Sequence, residues 1–397
     1  MMSHSSSLLD TLLARVQALA PLVDAHSVQA EQERRIAAPV QHALAEAGLF
    51  NLWGPRSLGG LEADPLTGLT VLEALARLDS SVAWNVAASA SSVPFFSWLP
   101  EAGVQELFAP PHDVVFSGTL FPPGRAVPVE GGYRVSGRWP FGSGCHGSRW
   151  SVGSALILDD ETPRRVEPDG DPLRLLVVYR TDDATLLDTW DTLGLRATGS
   201  DDIVLDDVFI PEQRTALLLP PTELGAAFQG PLYRIGIWLS VVALAPTALG
   251  SARAAIDALI ELAQHKTPQY TLSPLRERPG VQAQAARAEA LLGAGRAYLH
   301  SAVGDAWQTA LDGGRPTLQQ KMQLQLATTF AIRAAADAVD LVHEVAGTSA
   351  IRETQRFQRY FRDVHSVTQH AFGSTARYES VGRLLFGLPP DWTFFAF

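Results

Sequence analysis

The stretch from Gly131 to Trp150, GGYRVSGRWPFGSGCHGSRW, gathers residue types that can do chemistry together. It offers the indole of Trp139, the ring of Phe141, the hydroxyl of Ser143 and bare backbone at Gly142 and Gly144. A flat apolar wall with a few hydrogen-bonding groups suits a planar aromatic cofactor. Two patterns in the same stretch point elsewhere. Gly142-x-Gly144-x-x-Gly147 carries the letters of a dinucleotide fingerprint. That fingerprint needs a helix after it, whose N-terminus holds the phosphates. Here Trp150-Ser151-Val152 opens a strand-like run instead. Cys145 and His146 could form a nucleophile–base pair, but neighbours on a strand point to opposite faces, so both are expected to be structural. Cys145 is the only cysteine. That excludes an intramolecular disulfide and a multi-cysteine metal site, and it fits a reducing compartment. No metal is expected.

The flanking pattern says how this stretch is held. Gly131-Gly132 reads as a turn, Tyr133 and Val135 as strand, and Trp150–Leu158 as a second apolar strand. From Asp113 to Pro211 short apolar runs recur: Val114–Phe116, Tyr133–Val135, Ser151–Leu158, Leu173–Tyr179 and Ile203–Val208. Clusters such as Pro122-Pro123-Gly124 and Pro168-Asp169-Gly170-Asp171 separate them. That rhythm predicts an antiparallel β-barrel or sandwich. Before it the chain reads as helical. The helices run from about Ser7 to Ala47 with Gly48 as C-cap, over Pro65–Leu78, and from a Ser80-Ser81 cap to about Trp98. After it, Gly230–Gln264, Gln282–Leu311, Thr317–Ala346 and Arg352–His370 carry long alanine- and leucine-rich periods. Long helices on short loops favour a bundle. The class is α+β, with domains over residues 1–111, 112–219 and 220–397. The tail Leu388–Phe397 has four aromatics and is expected to dock, within the subunit or across an interface.

The 397 residues carry a formal net charge of −11, with 46% hydrophobic and 18% charged side chains. This is an ordinary soluble composition, and a nucleic-acid partner would want a basic face. The N-terminus, MMSHSSSLLDTLLARVQ, lacks the basic and apolar segments of a signal peptide. The most apolar run, Ile235–Leu249, is interrupted by Pro246 and is too short to span a bilayer. A cytoplasmic protein with no membrane and no nucleic-acid partner is expected.

Helices, then a small β region, then long helices is an uncommon order. Several stretches sharpen it: Leu58-Gly-Gly-Leu with Leu72–Asn85 (LEALARLDSSVAWN), Gly131–Gly144, Leu193–Ser200 (LGLRATGS) with Val208-Phe-Ile-Pro, and Arg359–Asp363 (RYFRD). Together they span nearly the whole chain, and the chain resembles the acyl-CoA dehydrogenase superfamily. Dehydrogenases of that family need a carboxylate base for the α-proton. They carry it shortly after the Arg-Asp pair or on the helix after the β domain. Here His370-Ala371 stands at the first place, and Ile235–Leu249 has no acid. The motifs are similar instead to the reduced-flavin monooxygenases on this fold. These include dibenzothiophene monooxygenase, oxygenase components of two-component phenol hydroxylases and amino-sugar N-oxygenases. That branch has a Ser in its Phe-x-Ser-Gly stretch and a His near the vacated Glu, matched by Ser143 and His370.

The resemblance implies a cofactor, partners and roles. Reduced FMN or FAD would react with O2 to a flavin C4a-hydroperoxide, in a dry pocket, beside a small aromatic or apolar substrate. No nicotinamide-binding domain is present, so a separate reductase would supply the flavin. A flavin site shared across subunits implies a homo-oligomer, a tetramer or a dimer. His370 would be the acid/base, with His365 on the same helix as the weaker candidate. Ser143 would bond the N5/O4 edge, Trp139 and Phe141 would cover the ring, and Phe116, Ser117, Gly118 and Thr119 would offer backbone to it. Arg196, with Thr198 and Ser200, could hold a phosphate, or pair with Asp201 or Asp202 in its loop. Lys266, Gly347 and Thr348 match the cofactor's phosphate end, and Gly347 also reads as a plain helix C-cap. Trp84, Asn85 and Phe95, with Phe96 and Trp98, could line the substrate pocket, although aromatics at helical spacing also read as core. Two other functions stay open. One is a dehydrogenase using Glu344, Glu353 or Glu379, and the other is a non-catalytic flavin or ligand binder.

Overall fold

The computed structural model describes residues 2–110, 114–165, 170–219 and 223–397. The first expected helix is two. α1 (Met2–Glu33) stops at Arg34, which takes φ +56, and α2 (Ala38–Glu46) begins with a proline in its first turn. α3 (Pro65–Leu78) starts on Asp64, whose carboxylate accepts from the Thr67 N–H at 3.0 Å. α4 (Ser80–Phe96) is capped by Asp79 rather than by Ser80 or Ser81: its carboxylate accepts from the N–H groups of Ser81 and Val82 at 2.9 and 3.1 Å. A charged acceptor at a helix N-terminus satisfies two orphan donors and meets the favourable end of the dipole. α5 (Glu101–Leu107) closes this half.

The middle of the chain forms one sheet. Its strands are β1 (Phe116–Gly118), β2 (Gly124–Val129), β3 (Gly132–Trp139), β4 (Trp150–Asp159), β5 (Thr162–Pro163), β6 (Arg174–Arg180), β7 (Thr185–Leu187), β8 (Asp202–Pro211) and β9 (Thr215–Leu217). The order is β7-β8-β3-β2-β4-β6-β9, with β1 and β5 also on β4. β1 and β2 run parallel to β4. The sheet is therefore mixed and open, not the antiparallel barrel expected. Closure requires the end strands to pair, and β7 and β9, three residues each, are the two ends of the path. Alternation within a run does not encode which strand lies beside it. β6 buries both faces: Leu176 and Val178 join the helical core, while Leu175, Val177 and Tyr179 join a second core on the far side. That is why Leu175–Tyr179 reads as an unbroken apolar run.

Seven helices follow: α6 (Pro231–Arg234), α7 (Trp238–Val242), α8 (Ala245–His265), α9 (Pro279–Leu311), α10 (Leu318–Ala346), α11 (Phe357–Val367) and α12 (Ala376–Leu385). The run expected as one helix over Gly230–Gln264 breaks at Gly236, with φ +63, and Pro246 starts α8 instead of interrupting a helix. Trp238–His265 is long and apolar enough to cross a membrane by length and composition, but 94% of its most apolar window is buried inside the protein. It is a core helix. α11 ends at Val367, three residues before His370, so His370 lies in a turn and not on the helix. The expected domain boundary at 111/112 lies outside the described residues, and the one at 219/220 lies at their edge.

The aromatic tail docks within the subunit. Phe394 and Phe395 are buried, Trp392 and Phe395 pack on Trp238, and Phe397 stacks on Trp98 at 5.4 Å.

Candidate active site

α4 is the spine of the site, because it touches both the sheet and the C-terminal helices and is buried along almost its whole length. Three of its polar groups meet the sheet's loops. The Trp84 Nε1–H donates to Ser143 Oγ at 3.0 Å. The Ser89 hydroxyl accepts from the Phe116 N–H at 3.0 Å. Asn85 is buried, and its Oδ1 has no hydrogen-bond partner.

Ser143 sits in a loop held from the other side by residues 195–201. Gly142 N–H donates to Asp201 O at 3.0 Å, and Gly144 N–H donates to Thr198 O at 2.9 Å. The side chains continue the link. Ser143 Oγ lies 2.8 Å from Ser200 Oγ, which lies 2.6 Å from Thr198 Oγ1, which donates to Leu195 O at 2.8 Å. The N–H of Leu195 is held by the buried Asp363 carboxylate on α11 at 2.7 Å. Burial pushes the Asp363 carboxyl up to about 7, against the lowering effect of that Leu195 bond. A Cβ on Gly194 would meet the Arg362 carbonyl at 2.2 Å, so only glycine lets α11 approach this loop.

His370 faces the same place from the turn after α11. Its ring lies edge-on to Trp84 at 5.5 Å and to Phe372 at 4.9 Å. The Phe372 N–H donates to His370 Nδ1 at 3.2 Å, which assigns the ring proton to Nε2. The residue is half-buried at its surface, but its neighbours offer little solvation to a charge, and desolvation holds the imidazole down to about 4. At neutral pH it is a neutral N–H donor. That revises the expected role of a group exchanging protons near neutrality. His365 points away and bonds Asp340 at 2.8 Å.

Several expected residues lie elsewhere or are committed. Trp139 does not cover a ring: it is fully buried in the second core and donates to Ser154 O at 3.0 Å. Phe116 packs its ring on Phe96 and Phe108. The Thr119 N–H goes to Val152 O, so β1 offers fewer free backbone groups than expected. Gly118, at φ +114, sits flush on Val152. What β1 does present is the Ser117 hydroxyl, buried and without a partner. Phe141 is 63% exposed and lies edge-on to Trp190 at 6.1 Å, with Leu193 equally exposed. Phe95 lies three turns beyond Trp84 and packs on Trp98. Arg196 bonds Thr192 O and pairs with Asp191 at 3.6 Å, not with Asp201 or Asp202. Lys266 donates to Ala346 O at 2.6 Å and to Ser349 Oγ at 2.9 Å, which brings it to Gly347, the C-cap of α10, and to exposed Thr348.

Cys145 and His146 lie on a short turn, not a strand. Their ligand atoms and those of Asp201 fall within 4.8 Å of one another. These atoms are engaged, however. Cys145 donates to Gly199 O, and burial pushes its thiol up to about 12. Asp201 bonds His146 at 2.6 Å and accepts from the N–H groups of Thr189 and Trp190. A cleft of about 1110 Å³ opens beside this turn, lined by Asn85, Gly144, Thr198, His146, Gln41 and Val115. His370 is not in its lining; it meets Trp84, which bonds Ser143 next to the lining residue Gly144.

The missed residues are Asp363, Asp201 and the hydroxyl pair Thr198 and Ser200 in their actual role. Their sequence signal is their place in or beside the Leu193–Ser200 and Arg359–Asp363 stretches, not their residue type.

Helices from both ends of the chain and the mixed sheet meet along α4, where the Ser117 hydroxyl and the Asn85 Oδ1 are buried without partners, a scaffold suited to a planar redox cofactor. The chain belongs to the acyl-CoA dehydrogenase family: the N-terminal domain of that family matches residues 13–103 and the C-terminal domain residues 242–375. It is 31% identical to indole-3-acetate monooxygenase of Pseudomonas putida, over 91% of this chain and 90% of that protein. It is 26% identical to the flavin-dependent monooxygenase oxygenase subunit HsaA of Rhodococcus jostii (strain RHA1), over 95% and 98%. The structure of XiaF from Streptomyces sp., in complex with FADH2 and glycerol, superposes with a TM-score of 0.89 at 26% identity, covering 98% of each chain.

Proposed function

We propose that this enzyme is the oxygenase component of a two-component flavin-dependent monooxygenase, using reduced FMN or FAD and O2 on a small aromatic substrate. The observation that carries the reading is the convergence of Ser143 and neutral His370 on Trp84, which bonds the first and packs edge-on against the second. The residues fit a flavin. Ser117 Oγ and Asn85 Oδ1 are buried without partners, and Phe141 and Leu193 leave apolar surface open. A planar ring with a polar edge answers both. When bound, reduced flavin supplies the oxygen-activating chemistry.

The chain's own residues do the rest. Ser143 and Ser117 hold the polar edge of the ring, and Phe141 covers part of its face. His370 donates through Nε2 to an oxygen atom near the ring, and Trp84 and Phe372 keep water from it. Trp84 and Asn85 line the substrate side. Arg196 remains a candidate for the cofactor's phosphate. Lys266, with a third ammonium proton left after its two bonds, joins Gly347 and exposed Thr348 in receiving the phosphate end from a neighbouring subunit. A homotetramer is the assembly proposed, supported by the apolar surface left exposed at Leu385, Phe386 and Leu388 beside α12. The single, free and buried Cys145 fits a cytoplasmic location. The alternative bases for a dehydrogenase, Glu344, Glu353 and Glu379, are all exposed.

The test is a stopped-flow one. Protein loaded anaerobically with reduced FMN or FAD is mixed with oxygenated buffer. A long-lived transient spectrum before that of oxidised flavin is expected. Immediate reoxidation, with flavin bleaching on addition of an acyl-CoA, would overturn the reading.

A further inference from the structure

The hydroxyls behind Ser143 can be ordered by their protons. Each hydroxyl has one proton and two lone pairs. Thr198 Oγ1 lies 2.8 Å from the Leu195 carbonyl, which can only accept, so the Thr198 proton goes there. The 2.6 Å contact between Thr198 and Ser200 then needs the Ser200 proton. The 2.8 Å contact between Ser200 and Ser143 in turn needs the Ser143 proton. Trp84 Nε1–H fills one lone pair of Ser143 from the opposite side. One proton order satisfies every contact, and it leaves Ser143 with a lone pair and no proton to give.

The end of this row is fixed. Leu195 is held at its N–H by Asp363 and takes φ +53, a left-handed conformation that a leucine adopts only when its surroundings impose it. Its carbonyl also accepts from the Trp190 indole at 3.0 Å. The row cannot reverse without breaking the Thr198–Leu195 bond.

We propose that Thr198 and Ser200 are positioning residues that turn Ser143 into an obligate hydrogen-bond acceptor, so that the site discriminates the redox state of its cofactor. This rests on the flavin reading above. The N5 atom of a reduced flavin carries a hydrogen and donates; the N5 atom of an oxidised flavin has none and accepts. An acceptor-only Ser143 pairs with the first and opposes the second. Specificity here comes as much from the mismatch with the oxidised form as from the match.

The experiment measures dissociation constants of oxidised and anaerobically reduced FMN for the full-length protein and for Thr198→Val, Ser200→Ala and Thr198→Ser. The wild type should bind the reduced form more tightly. Ser200→Ala and Thr198→Val free a proton to turn toward the ring, and the preference should fall by roughly tenfold or more, as expected for one buried hydrogen bond. A tenfold fall lowers the two-electron potential of the bound flavin by about 30 mV. Thr198→Ser keeps the row and should keep the preference. Equal weakening of both redox forms in Ser200→Ala and Thr198→Val would mean a structural role only and overturns the proposal. So does a wild type that binds oxidised FMN as tightly as reduced, a result that needs no variant to fold. Binding of neither form overturns the flavin reading itself, and this inference with it.

Discussion

His370 is the residue whose chemistry depends most on its surroundings. A histidine held near 4 is neutral across the physiological range, so its N–H donation should not vary with pH above about 5. His370→Ala should still bind flavin but release most of its oxygen as peroxide, read as the ratio of product formed to oxygen consumed. Unchanged coupling would remove His370 from the site. The same burial has a stability consequence. Between pH 6.5 and about 4 the unfolded chain takes up a proton at this position that the folded chain does not. Stability present at pH 7 is therefore lost as the pH falls through that window. The candidate was legible from its place after Arg362-Asp363. Its state was not, because Trp84, which helps set it, lies on a helix far away in sequence.

At the scale of elements, the decisive joint is between α11 and the 195–201 loop. Asp363 and Leu195 are 168 residues apart, and no local pattern relates them. Helices were legible from their periods, and their breaks were misplaced where one residue, Arg34 or Gly236, takes a left-handed turn. Strand positions were legible, but neighbours were not, so the open mixed order came only with the structure. The joint makes a prediction. The Asp363 carboxyl is raised to about 7 when folded, against an ordinary aspartate value of 3.8, and Asp79, Glu31 and Arg362 face it. Between these values the folded chain holds a proton the unfolded chain lacks, so ionisation costs stability as the pH rises. The cost is at most about 1.4 kcal/mol per pH unit. Asp363→Asn removes it while keeping an acceptor for Leu195. Urea denaturation should show the variant gaining on the wild type from pH 5 to pH 8; a constant gap would show that Asp363 does not titrate there.

For the whole molecule, the C-terminal tail connects the helical core to the site. Phe394 packs on Phe372 at 4.9 Å, and Phe372 walls His370. The four tail aromatics announced docking, but not that it would occur inside the subunit. Phe395→Ala opens a cavity against Trp238 and should cost about 3–5 kcal/mol in urea denaturation. If the tail also seats Phe372, the same variant should couple oxygen use to product less well; full coupling with lowered stability would confine the tail to packing.

The fully buried Trp139 carries a consequence of another kind. Side chains built on Gly124, Gly137 and Gly153, one on each of β2, β3 and β4, would strike its indole at 2.7–2.8 Å. One large residue and three absent side chains thus fill a single space. Descendants of this sequence cannot drift at those four positions one at a time. Gly137 and Gly153 are free to acquire a methyl group only after position 139 has shrunk, whereas Gly124 is also closed by the Ser136 carbonyl at 2.7 Å, so history should show the tryptophan lost before those two glycines.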